Sequence, residues 1–362
     1  MPGLSAPMLA AGIALLISAL VTWYAIGYAH RRRLIDVPGA RRSHATPTAR
    51  GGGIAVVLSI ILCGLLPSFA AIASDYPWPA WWLLPATVGI AWVGWIDDHG
   101  GLSARRRFVM HCAAAFWTFA APAVWFETSA PQMADAAIAS AWLGVLLACI
   151  AAIAVVWSIN LHNFMDGING LLAMQAIFVL SALLMLFAAH GSATVAAQLA
   201  VWIAAIAGFV PFNFPRARIF MGDVGSGALG FLIAAAVLWQ MFTPGIAAAS
   251  GIVLCSVFVT DASCTLVSRM WRGRRWYSAH REHLYQWLVR CGHSHARVVA
   301  FYMGWNLLIV LPVVYWMNRS LSPDAADGLR AAVAVYVLSA AAWWAGKRWC
   351  LAAVRLRGRH AA

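Results

Sequence analysis

Charge is scarce in this 362-residue sequence: 10% of residues are charged, 63% are hydrophobic and the mean hydropathy is +0.77. A chain so poor in charge cannot dress the surface of a soluble globular domain, so that class is excluded and a polytopic membrane protein is expected. Acidic residues are scarcer than basic ones, 12 against 25, which gives a net charge of +13. The seven cysteines are scattered, mostly inside apolar runs, with no CxxC pair. That pattern indicates neither a disulfide framework nor a zinc site. The first apolar run has no basic stretch before it, and Arg31, Arg32 and Arg33 follow it. This suits a retained helix better than a cleaved signal peptide.

What the chain does have is long apolar runs. A helix needs about 20 apolar residues to cross about 30 Å of hydrocarbon. Eleven runs qualify, at roughly 6–29, 52–73, 81–96, 107–126, 138–159, 171–189, 194–212, 225–242, 246–268, 298–317 and 329–346. With the N-terminus outside, every Lys and Arg except Arg319 and Arg330 falls in an inner loop or the C-terminal tail. The positive-inside rule therefore predicts eleven spans with the C-terminus inside. The fold class expected is all-α, a single membrane domain over 1–362. The positive inner face suits anionic headgroups or an anionic substrate, and nucleic acid need not be invoked. Many of the 20 tryptophans, Trp78, Trp81, Trp82, Trp125, Trp316 and Trp349 among them, lie near span ends as interfacial anchors.

The acidic residues sort by side. Asp36, Asp97, Asp98, Asp166, Asp223 and Glu282 lie on the inner face, in loops 30–51, 97–107, 160–170, 213–224 and 269–297. Only Asp261 lies well inside a span. With Thr265 and Arg269 at i+4 and i+8 it reads as a structural relay. The stretch NLHNFMDGING, from Asn160 to Gly170, sits between two apolar runs, and Asn160, Asn163, Asp166 and Asn169 recur every three residues. On a helix that spacing draws one slowly drifting polar stripe. Polar groups at a membrane helix end are costly unless they meet water, a partner or a ligand.

The other inner loops add complementary chemistry. The first, RRRLIDVPGARRSHATPTARGGG, is basic and ends in a glycine triplet, which suits either headgroup binding or backbone amides offered to an anion. Adjacent Asp97 and Asp98 suit a divalent cation, a general base, or plain capping. Asp223, between Gly222 and Gly225 and downstream of Arg216 and Arg218, suits a metal–phosphate site or a structural turn. His280 and His283, at i,i+3, are expected to share a helix face. A transporter would more often keep its ionisable groups near the midplane. Here they form a rim at one interface.

Five blocks in order, DVPGARRSHATPTARGG at Asp36, DD at Asp97, NLHNFMDGINGL at Asn160, FPRARIFMGDVGS at Phe214 and AHREHLYQ at Ala279, resemble the polyprenyl-phosphate N-acetylhexosamine-1-phosphate transferases, glycosyltransferase family 4. The resemblance implies transfer of sugar-1-phosphate from a UDP-N-acetylhexosamine to undecaprenyl phosphate, with release of UMP and a need for Mg²⁺ or Mn²⁺. It implies a multi-pass protein of the bacterial plasma membrane with its active site on the cytoplasmic face. It implies catalytic roles for Asp97, Asp98, Asp166, Asp223, His280 and His283, with Asp223 and Asn163 holding the metal. It implies substrate contacts from His44, Arg50, Asn160, Asn163, Asn169, Arg218 and Arg281. Membrane lipids are the surrounding partners, and a homodimer stays open.

The blocks also depart from the family pattern. Asn169 stands where many bacterial members have Asp, Gly101 replaces the third Asp of DDxxD, Ala49 replaces a proline, and the histidine motif is HREH. These forms resemble the branch that initiates O-antigen and other surface polysaccharides more than the phospho-MurNAc-pentapeptide transferases. The alternatives are a MurNAc-pentapeptide substrate, or a transporter or lipid flippase from a different class.

Overall fold

Apolar chain in lipid must satisfy its backbone internally, and a helix does so within one segment. The computed structural model describes residues 5–38, 46–67, 80–129, 137–275, 280–319 and 324–360, and His44 lies outside them. The helices are α1 (Ser5–Arg32), α2 (Gly53–Ile60), α3 (Leu84–Gly100), α4 (Ala104–Ser129), α5 (Ala137–Met165), α6 (Leu171–Ala189) and α7 (Ala193–Asn213). They continue as α8 (Asp223–Met241), α9 (Ser250–Leu254), α10 (Ser256–Trp271), α11 (Leu284–Arg290), α12 (His295–Trp305), α13 (Leu311–Met317) and α14 (Ala325–His360).

The chain is an all-α, multi-pass membrane protein. Among the described residues, seven helical segments are long and apolar enough to cross a bilayer: Ala6–Arg32, Leu143–Met165, Leu171–Ala189, Ala193–Asn213, Asp223–Met241, His295–Met317 and Ala325–Leu356. The expectation of eleven spans is met only in part. The run at 81–96 forms α3, which has 17 residues. The run at 246–268 is interrupted at Cys255, between α9 and α10. A second departure is a two-stranded antiparallel ribbon, β1 (Ile35–Asp36) with β2 (Thr48–Ala49), at the two ends of the basic first loop.

Helix α8 is the centre of the bundle and is buried along nearly its whole length. Its small residues let neighbours approach closely, as membrane interfaces favour. A Cβ on Gly53, in the first turn of α2, would collide with the Gly225 backbone, and one on Gly94 of α3 would lie 2.5 Å from the Asp223 backbone. On the α5 side, Ser158 donates a 2.7 Å hydrogen bond to the Gly230 carbonyl. Thus α2, α3 and α5 all converge on the first turns of α8.

The first and fourth loops are joined by extended backbone. Ala49 bridges to Ile219, and the Phe220 N–H donates to the Ala49 carbonyl at 2.8 Å. The amides of Gly52 and Gly53 donate to the carbonyls of Phe220 and Met221 at 2.9 and 2.7 Å. These two glycines therefore do not offer their amides to an anion, as one reading of the triplet allowed. They let α2 dock on the start of α8. Overpacking of a tight contact costs about 1–3 kcal/mol. Gly53→Ala is accordingly expected to lower the thermal unfolding midpoint of the detergent-solubilised protein; an unchanged midpoint would refute this packing.

Candidate active site

The polar stripe at the end of α5 is helical only in part. Asn160 and Asn163 lie on its last turns, the helix stops at Met165, and Asp166 and Asn169 fall in the turn before α6. Asn160 and Asn163 face a cleft of about 40 Å³, lined also by Ile90, Gly94, Arg107, His111, Phe164 and Asp223. Asn160 lies 3.2 Å from His111 Nδ1 through its Nδ2, and Asn163 donates to Ser226 Oγ at 3.0 Å.

Three carboxylates from two loops meet here, and the buried Asp166 from a third loop lies within electrostatic reach of Asp223, Asp98 and Arg50. Asp98 accepts the amides of Asp223 and Val224 at 3.0 and 3.2 Å, one on each oxygen. It thereby caps the N-terminus of α8 from the end of α3, as a helix dipole favours. Arg50 Nε pairs with Asp98 at 2.7 Å, and its Nη2 pairs with Asp223 at 2.7 Å. Arg107 Nη1 bridges Asp97 at 2.8 Å and Asp223 at 3.1 Å. The remaining Asp97 oxygen accepts the Leu102 amide just beyond the end of α3.

The adjacent pair is therefore asymmetric. The Asp98 side chain is 2% exposed and takes two amides of α8 with Arg50, whereas Asp97 is 11% exposed and takes the Leu102 amide with Arg107. Arg107 and His111 are positions that the sequence reading did not single out. Arg107 counted only as one of three loop arginines. Their i,i+4 spacing on α4, one helix face, is the signal that would have paired them.

The other expected residues lie further off. Asn169 donates through Nδ2 to the Pro215 carbonyl at 3.1 Å and through its amide to His295 at 3.3 Å. Its Oδ1 is buried without a hydrogen-bond partner. Arg218 is exposed, with its guanidinium 5.2 Å from the centre of the Phe212 ring, not among the carboxylates.

His280 and His283 do not share a helix face, because α11 starts only at Leu284. The start is fixed by Asp261, whose oxygens accept the amides of Leu284 at 2.7 Å and Tyr285 at 3.3 Å. The two rings are still neighbours, with centroids 5.0 Å apart. His283 stacks on Phe164 at 6.3 Å, and Tyr285 donates to the Phe164 carbonyl at 2.9 Å. Phe164 also lines the cleft, so it is the shared wall between the histidines and the carboxylates. The expected relay at Asp261 is half right. Thr265 donates to it at 3.2 Å, with Tyr302 and Trp343 at 2.7 and 3.0 Å, but Arg269 pairs with Glu282 instead. Arg281 is half-buried in the same loop.

Burial pushes the Asp98 carboxyl up to about 6, against the downward pull of Arg50. Asp97 and Asp166 are raised from the same first cause, with Asp223 adding to both. Burial, followed by the His283 charge, lowers His280 to about 4, so it is neutral at pH 7. Asp98 binds its proton more tightly in the folded chain than in the unfolded one. That contribution to stability is fully present below the ordinary carboxylate value of about 3.9 and is lost as pH rises through about 6. Chelator-treated protein is therefore expected to unfold at progressively lower temperature across that window, and Asp98→Asn to flatten the decline. Parallel profiles for the two proteins would contradict the assignment.

Comparison with known proteins gives the family of the chain. The family model described as glycosyl transferase family 4 matches residues 80–241, which include Asp97, Asp98, the Asn160–Gly170 stretch and Asp223. The decaprenyl-phosphate N-acetylglucosaminephosphotransferase of Mycobacterium tuberculosis is 30% identical over 338 residues, 84% of this chain and 81% of the relative. Its counterpart in Mycobacterium leprae is 29% identical over 325 residues, 80% and 79% of the two chains. The phospho-N-acetylmuramoyl-pentapeptide-transferase of Chlamydia muridarum is 32% identical over 204 residues, 52% of this chain and 59% of the relative. Matched through the cleft and across four-fifths of a relative's length, the chain belongs to glycosyl transferase family 4.

Proposed function

We propose that this protein transfers N-acetylhexosamine-1-phosphate from a UDP-sugar to undecaprenyl phosphate, releasing UMP and starting a lipid-linked O-antigen or other cell-surface polysaccharide. The observation that carries this reading is the meeting of Asp97, Asp98 and Asp223 with Arg50 and Arg107 at one rim of a membrane bundle. Phosphoryl transfer is mainly positioning and neutralisation of charge, and these are the groups that do both. A lipid phosphate lies at headgroup depth, so a rim site meets it there. We read that rim as the cytoplasmic one of a bacterial plasma membrane, in a chain of eleven spans, because the inner loops carry the basic residues. UDP-GlcNAc is the favoured donor. The relatives named for N-acetylglucosamine match over more of this chain than the Chlamydia pentapeptide transferase does.

The donor set fits Mg²⁺ or Mn²⁺: carboxylates and amide oxygens are hard ligands, and Asp97 and Asp223 are close enough for one arginine nitrogen to bridge them. Asp223 and Asn163 would hold the ion, with Asp97 beside them. When bound, the metal would supply Lewis-acid stabilisation of the diphosphate and of charge on the departing UMP. Asp97 orients the acceptor phosphate or takes its proton. Asp98 fixes the α8 N-terminus on which Asp223 stands. Arg50, with Arg281, Arg218 and His44 of the inner loops, holds phosphates. Asp166 and Asn160 shape the nucleotide wall, and the free Asn169 carbonyl oxygen can accept the uracil N–H. His280 and His283 serve the diphosphate or acceptor side, beyond Phe164.

The reaction is read as one displacement. A lipid-phosphate oxygen forms a bond to the β-phosphorus as its bond to the bridging oxygen breaks, and UMP leaves with that oxygen. Purified protein with UDP-GlcNAc and undecaprenyl phosphate is expected to release UMP only with divalent metal. Asp223→Ala should cut the rate at least about 100-fold, the scale of losing one preorganised charge-stabilising group. Intact release in that variant would end the metal assignment. Transport of substrate without UMP release would favour a flippase instead. Labelled UMP should not exchange into UDP-GlcNAc without lipid acceptor; robust exchange would mean a covalent aspartyl intermediate.

A further inference from the structure

We infer that Arg107 is a place-holding cation: it neutralises Asp97 and Asp223 before loading and transfers to the donor diphosphate on loading, so that divalent metal and UDP-sugar bind cooperatively. The inference rests on the metal and donor of the proposed function and adds how their binding is coupled.

The argument starts from which partners can move. Asp98 is held by two α8 amides, and Asp97 by the Leu102 amide. Asp223 begins α8, so its backbone is fixed by the helix. Arg50 grips two carboxylates through two different nitrogens, Nε and Nη2. Arg107 touches both of its partners through the single nitrogen Nη1, and its side chain is 35% exposed. It can rotate away at the cost of one nitrogen's contacts, leaving Asp97 and Asp223 in place. Rotation also opens space. A cleft of about 40 Å³, with Arg107 in its wall, has room for a few waters or an ion. It is far below the roughly 300 Å³ or more of a small-molecule site.

Charge sets the coupling. A divalent cation entering between Asp97 and Asp223 would meet the Arg107 guanidinium that already spans them, in a part-buried cleft where like charges repel strongly. Arg107 relieves this only if another anion receives it, and the donor diphosphate is that anion. Each ligand therefore strengthens binding of the other by the same factor. Without the arginine, the metal meets Asp97 and Asp223 with no cation spanning them and needs no nucleotide.

The test is Mn²⁺ binding, read by electron paramagnetic resonance on the full-length protein in detergent, with and without UDP-GlcNAc and with protein-free controls. In the unmodified protein, UDP-GlcNAc should tighten Mn²⁺ binding about tenfold or more, within the usual range of coupling. Arg107→Gln should bind Mn²⁺ about tenfold more tightly without nucleotide and lose most of the nucleotide effect. Arg107→Lys, which keeps the charge, should behave like the unmodified protein, and monodisperse elution checks that each variant is folded. Arg107→Gln binding Mn²⁺ no more tightly, or keeping the full nucleotide effect, would overturn the inference while leaving the proposed reaction standing. Failure of the unmodified protein to bind Mn²⁺ even with UDP-GlcNAc would remove the metal reading and this inference together.

Discussion

The N-terminus of α8 is the constraint on which the rest of this molecule depends. Its first amides need acceptors, and in a membrane bundle water is a poor source of them. Asp98 supplies both oxygens from the end of α3. Charge is then drawn in: Arg50 comes to Asp98 and Asp223, and Arg107 comes to Asp223 and Asp97. The reactive rim is thus an extension of a helix cap, and its precision is that of helix packing rather than of loop conformation.

This explains the distribution of small residues. The glycines of α2, α3 and α8 admit backbone against backbone, which brings the ends of three helices within one side-chain length of each other. It also explains why the histidine segment can stand apart. Asp261 caps α11 much as Asp98 caps α8, with a buried carboxylate on another helix receiving two amides. Two remote caps therefore set the two halves of the site, and Phe164 touches both.

Much of this was legible in the sequence, and the limits are physical. Hydropathy gave the helices because lipid leaves the backbone no alternative. The rim carboxylates stood out because charge is so rare in this chain. The division of labour between Asp97 and Asp98 was not legible, since adjacency says nothing about which oxygen meets an amide of a helix 125 residues away. The glycine triplet was ambiguous for a similar reason: an amide that can approach an anion can equally approach a carbonyl. The late start of α11 depends partly on a tertiary partner, the Asp261 carboxylate, and partly on a local one, Gln286 Oε1 accepting the His283 amide. The i,i+4 pair of Arg107 and His111 was visible but lay at the edge of an apolar run, where it read as flanking charge.

The small ribbon in the first loop has a consequence for how that loop can vary. Ile35 faces Ala49 and Asp36 faces Thr48, and the chain then passes directly from Ala49 to Arg50. Successive residues on an extended strand point to opposite sides, so a shift of one position exchanges the faces. Insertions between the two strands would lengthen a connection and leave pairing intact. One residue added between Ala49 and Arg50 would instead turn the guanidinium away from its carboxylates. The ribbon acts as a ruler: the loop's length is free on one side of it and counted to the residue on the other.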